Sequence, residues 1–131
     1  MIVVGLGSRT GVTTAALAAA VREVLADAGL AFRDVTALAT LDRRATSPEV
    51  RVLATEAGWR LVGYSADELA GVEVPSPSAT VAAVTGTPSV AEAAALIAAG
   101  PKGGLMVPKR IIGTITVAVA TDVSSVTDVV E

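Results

Sequence analysis

At 131 residues the chain has the length of one ordinary domain, enough to bury roughly two thirds of the surface its unfolded form exposes. Apolar residues make up 52% of it and aromatics only 2%, so the core must be built from small aliphatic side chains. The absence of Cys and His excludes disulfides, thiolate nucleophiles, the commonest metal sites and any Ser-His-Asp triad, and a formal net charge of −3 argues against a nucleic-acid partner.

Ile2 to Leu6 is a short β-branched run leading into Gly7, the pattern of a buried strand that enters a tight turn. No basic n-region precedes it, so no signal peptide is expected. Every apolar stretch is broken by Gly, Pro or charge before the roughly 18 residues a membrane span requires, and the cytoplasm is the expected compartment. Thr13 to Ala28 carries Leu17, Ala20, Val21 and Leu25 at helical spacing, with Gly29 as the residue that ends the helix. Val35 to Leu41 reads as a second strand. Thr46-Ser47-Pro48-Glu49 offers an N-cap and a proline at the first helical position, predicting a helix to about Ala57 stopped by Gly58.

Trp59 to Tyr64 is the third predicted strand, and Ser65-Ala66-Asp67-Glu68 has the form of a capping box ahead of a short helix to about Leu69. Val74 to Ser78 is a candidate linker, too close to either end to separate domains. Thr80 to Val84 and Val90 to Ala99 read as apolar helices stopped by Gly86 and Gly100. Leu105 to Val107 and Thr114 to Ala120 are strand-like, with Pro108 to Gly113 as the loop of an antiparallel hairpin. The tail from Thr121 is rich in Ser, Thr and Asp and is expected to fray. The sum is one domain over residues 1–131, a three-layer α/β/α architecture around a mixed, largely parallel sheet of about five strands with a C-terminal hairpin.

The most informative local pattern is Gly5-Leu6-Gly7-Ser8-Arg9-Thr10-Gly11 between the first strand and the first helix. Such a turn can expose backbone N–H groups at a helix N-terminus, where the dipole favours an anion. It departs from the dinucleotide fingerprint in spacing and lacks the acid about 20 residues on, and Val12 stands where a phosphate-binding loop needs Lys. A structural glycine turn and a cradle for a non-nucleotide anion both fit. Six of the ten Lys and Arg residues fall in three predicted loops: Arg9, then Arg43 and Arg44, then Lys102, Lys109 and Arg110. In a parallel α/β sheet the loops after the first two strands share the carboxyl edge, where such folds place ligands. Arg9, Arg43 and Arg44 can therefore converge, while the hairpin joins them only under a suitable strand order. Solvated loop charges are the plain alternative. Among carboxylates, Asp42 and Glu73 lie at predicted element ends, and Asp42 is the simplest general base for a water. Capping accounts for Thr13, Thr14 and Ser65 without catalysis.

These segments, together with Ala37-Leu38-Ala39-Thr40-Leu41-Asp42, Tyr64-Ser65-Ala66-Asp67-Glu68-Leu69, Val84-Thr85-Gly86-Thr87-Pro88-Ser89-Val90-Ala91-Glu92-Ala93-Ala94-Ala95 and Leu105-Met106-Val107-Pro108-Lys109-Arg110, resemble successive signatures of the family of CobE and the C-terminal domain of CbiG. They stand in the family's order over nearly the whole chain. The resemblance implies a role in cobalamin biosynthesis, with a corrin-ring (precorrin or hydrogenobyrinic-type) intermediate as ligand, no resident cofactor or metal, and another corrin-pathway enzyme as a candidate partner. In CbiG the domain follows others in a protein that opens the δ-lactone of a cobalt-precorrin with loss of a two-carbon fragment. In CobE it stands alone. The family commonly has Cys in the glycine turn where this chain has Ser8.

Corrin precursors carry acetate and propionate carboxylates around an apolar macrocycle, which a groove of backbone donors and cations would suit. The resemblance thus implies Gly5, Gly7, Thr10 and Gly11 as points of close approach to the ligand. It implies Arg9, Arg43, Arg44, Lys109 and Arg110 as carboxylate partners, and Asp42 or Ser8 for any hydrolytic step. Carrier, lactone hydrolase and interaction module are the three functions these residues leave open.

Overall fold

The computed structural model describes residues 2–8, 12–70, 90–100 and 103–122. Five strands, β1 (Ile2–Gly7), β2 (Ala37–Leu41), β3 (Arg60–Tyr64), β4 (Gly103–Ile112) and β5 (Ile115–Asp122), form one sheet in the order β3-β2-β1-β5-β4. β1, β2 and β3 are parallel, whereas β5 runs antiparallel to both β1 and β4. The expected mixed sheet with a C-terminal hairpin is thus the one observed.

Successive side chains of β1 point to opposite faces and divide the core in two. Val4 and Leu6 join Leu38, Val117 and Val119 beneath α1 (Thr14–Asp27) and α3 (Pro48–Ala57), which contribute Leu17, Val21, Val24, Leu25, Val50 and Leu53. Val3 joins Ala37, Ala39 and Ala120 on the other face, under α5 (Val90–Ala99) and Leu69 of α4 (Ala66–Ala70). That second interface is made almost wholly of alanine, which lets the backbones approach closely. The extreme is Gly5, where a Cβ would lie 1.9 Å from the Ala91 carbonyl oxygen.

The helix ends follow the predicted signals. Thr13 accepts the Ala16 N–H (3.1 Å) and α1 ends before Gly29, at φ 76°. α3 begins at Pro48 and ends on Gly58, also at φ 76°. Ser65 and Glu68 form the expected reciprocal pair: Glu68 N–H donates to Ser65 Oγ (3.1 Å) and Ser65 N–H to Glu68 Oε1 (2.9 Å).

Three segments correct the sequence reading. Asp42 to Ala45, expected as loop, forms a single helical turn, α2. Pro108 to Ile112, expected as the hairpin loop, is strand, and the turn is confined to Gly113 and Thr114. Proline reads as a breaker, but β4 is an edge strand, where a residue without an N–H is tolerated. The register also slips twice, between Leu105 and Val107 and between Val107 and Arg110. Met106 is an extra residue at the first slip, and Pro108 with Lys109 faces Ala118 alone at the second. Thr121 and Asp122, expected in the tail, close β5. The predicted helix Thr80 to Val84 and the linker Val74 to Ser78 lie outside the described residues.

Candidate functional site

β1, β2 and β3 all end at one edge of the sheet, at Gly7, Leu41 and Tyr64. The antiparallel β5 reverses the chain, so β4 runs in the direction of β1 and delivers its own C-terminal end to that same edge. In register terms Gly7 faces Thr116, which faces Ile111. The strand order therefore places the hairpin at the edge where β1 ends, the arrangement the sequence left undecided. α5 begins there too, since Val90 packs 3.8 Å from where a Gly7 Cβ would stand.

Of the expected site residues, Gly7 and Ser8 lie half-buried at the end of β1, while Asp42, Arg43 and Arg44 form α2 directly after β2. α2 sits against β3: a Cβ at Gly63 would meet Asp42 Cα and Ala45 Cβ, each at 3.0 Å. Asp42 and Arg43 are exposed, and Asp42 Oδ1 accepts the Arg43 N–H (2.7 Å). Arg44 is half-buried, and its Nη1 is shielded from solvent with no hydrogen-bond partner. Tyr64 adds a hydroxyl at the end of β3, its pKa raised by burial and secondarily by the negative charge of Glu68. Arg9, Thr10, Gly11, Glu73 and Lys102 lie outside the described residues.

Two expected ligand contacts are occupied within the protein. Gly5 faces α5, so the close approach it permits is that of Ala91 and Ala95 and not of a ligand. Arg110 turns to the opposite layer, where its guanidinium binds Asp27 and lies 3.9 Å from Glu23, both on α1. The Asp27 hydrogen bond raises its pKa further. Thr13 and Ser65 are used as caps, and Thr14 Oγ1 donates to the Glu49 carbonyl (3.1 Å), joining the starts of α1 and α3. Lys109 is half-buried in the second bulge of β4, and its backbone N–H donates to Glu92 Oε2 (2.9 Å).

Glu92 is the residue the sequence reading passed over. It is 0% exposed in the first turn of α5, and its signal was a lone acid within the alanine run of a predicted apolar helix. Among the described residues no group of three or more potential ligands could hold a metal ion, and no helix is long and apolar enough to cross a membrane. Among the described residues the arrangement amounts to an edge with one exposed and one half-buried arginine, the backbone of Gly7 and Ser8, hydroxyls from Ser8 and Tyr64, and the exposed carboxylates of Asp42 and Glu68.

Comparison with known proteins agrees with this architecture. Protein CobE of Sinorhizobium sp is 35% identical over 121 residues, which span 91% of this chain and 79% of that protein. Cobalt-precorrin-5A hydrolase of Priestia megaterium is 29% identical over 120 residues, 92% of this chain but 32% of the hydrolase. The chain thus spans about a third of that relative's length. A crystal structure of CobE, a protein from the cobalamin (vitamin B12) biosynthetic pathway, has a TM-score of 0.83 at 32% identity and covers 92% of each chain. Residues 2–120 match the family described as cobalamin synthesis G C-terminus, and the chain belongs to that family.

Proposed function

We propose that the protein binds a corrin-ring intermediate of cobalamin biosynthesis along the carboxyl edge of its sheet, as a carrier or presenting protein. The observation that carries this reading is Arg44. A guanidinium nitrogen removed from water without an acceptor is costly, and a ligand carboxylate at the edge would supply one as a charge-assisted hydrogen bond. Arg43 adds positive charge beside it and Lys109 adds a second cation three strands away on β4, and the acetates and propionates spaced around a corrin precursor are complementary to that spread.

Titration with precorrin and hydrogenobyrinic-type intermediates, followed by their visible absorption, tests the proposal. Saturable binding is expected, weakened about tenfold or more by Arg44→Ala, the loss of one charged hydrogen bond. Equal affinity in the variant would remove Arg44 from the site, and no binding to any intermediate would end the corrinoid reading.

A second reading is favoured by the similarity to cobalt-precorrin-5A hydrolase. Asp42, exposed at the same edge, would take a proton from a water that attacks the lactone carbonyl; the ring acyl C–O bond then breaks and the departing alkoxide takes that proton, leaving a hydroxy acid, with Ser8 as a hydroxyl at the adjacent strand end. Conversion of the bound intermediate over time, abolished by Asp42→Asn, would establish it, and a stable absorption spectrum favours the carrier. Docking onto another corrin-pathway enzyme is compatible with either and is tested by co-elution with such an enzyme.

A further inference from the structure

The buried residues of α5 are Ala91, Ala93, Ala94, Ala95, Ala99 and Glu92. A carboxylate with no solvent exposure among alanines is expensive, and side chains of this type are almost never fully buried without a specific partner. Ser89-Val90-Ala91-Glu92 has the sequence form of a capping box, which would explain a glutamate at this helical position. It does not explain why the carboxylate is fully enclosed and reaches a strand 17 residues away in sequence. The partner there is the N–H of Lys109 at the bulge where Pro108 and Lys109 oppose Ala118. A bulge leaves a residue outside the ladder and re-aims its side chain. Here Glu92 takes up the N–H that the bulge leaves outside the β4–β5 register. Lys109 lies between the levels of Val4 and Leu6, within a side chain's length of the edge where Gly7 and Ser8 end β1.

We infer that Glu92 is a positioning residue for ligand binding: its buried carboxylate fixes the Pro108–Lys109 bulge so that the Lys109 ammonium meets a carboxylate of the ligand. The inference rests on the corrinoid reading of the edge and adds to it a residue that touches no ligand itself. A hydrogen bond that serves only the fold would affect all binding residues alike, whereas one that aims Lys109 is coupled to Lys109 alone.

The test is a double-mutant cycle on corrinoid affinity, using Glu92→Met, Lys109→Ala and Arg44→Ala. Glu92→Met and Lys109→Ala are each expected to weaken binding about tenfold, and the double variant no more than Lys109→Ala, because the two losses are one loss. Glu92→Met with Arg44→Ala should multiply. Glu92→Gln, whose amide oxygen still accepts from Lys109 N–H, should restore affinity to within about twofold of wild type. Should Glu92→Met not fold, Glu92→Asp takes its place, since its shorter arm withdraws the acceptor while keeping the charge. Wild-type affinity in Glu92→Met, or full additivity with Lys109→Ala, overturns the inference and leaves the corrinoid reading intact. Absence of any binding by the wild type overturns that reading, and the inference with it.

Discussion

A methyl group at Gly5 would lie 1.9 Å from the Ala91 carbonyl oxygen and 2.9 Å from Ala95 Cβ, and neither neighbour can move without lifting α5 from the sheet. Gly5→Ala should therefore cost about 1–3 kcal/mol of stability or more, read as a lower denaturant midpoint. A variant as stable as wild type would return Gly5 to a ligand-facing role. Tyr64 offers a probe of the edge itself, because it is the chain's one tyrosine and phenolate absorbance reports it alone. Burial, then Glu68, should hold its midpoint above the ordinary value of 10.0. Glu68→Gln, which can keep the capping bond, should bring it only part of the way back, because the larger cause remains. The folded state holds this proton more tightly than the unfolded chain. The associated stability is thus present below pH 10.0 and is lost as pH rises through the folded value. A midpoint at or below the ordinary value would contradict the half-buried placement of Tyr64.

At the scale of elements, α2 carries most of the proposed site, because a four-residue turn holds Asp42, Arg43 and Arg44 and rests on Gly63. Gly63→Ala forces a shift of a few tenths of an ångström in α2. It should weaken corrinoid binding several-fold while changing stability by less than about 1 kcal/mol, in contrast to Gly5→Ala; paired titration and denaturation curves would show the difference. α2 was not legible in the sequence, since a single turn has no periodicity to read and is held by its tertiary setting. The caps were legible because Thr13, Ser65 and the glycines after α1 and α3 act on groups within a few residues of themselves. β4 was misread for the opposite reason. Pro108 signals a break locally, but the edge position and two bulges that accommodate it belong to the sheet. Glu92 and Gly5 share this limit: each was visible, and each acquires its meaning from a partner far along the chain.

For the whole molecule, the decisive feature is the order β3-β2-β1-β5-β4. The antiparallel insertion of β5 brings a hairpin with its own cation to the edge where three parallel strands already end, so residues from four segments share one rim. Composition and element order were enough to predict three layers around a mixed sheet, but the rim's membership depended on strand order. Binding of a corrin intermediate at this rim would be seen first by mapping backbone amide shifts in the labelled protein as the ligand is added. Perturbations are expected at Gly7, Ser8, Asp42 to Arg44, Tyr64 and Lys109 through Thr114, with Phe32 and Trp59 at the opposite end unchanged. Perturbations confined to that opposite end, or to the outer face of α3, would contradict binding at the rim.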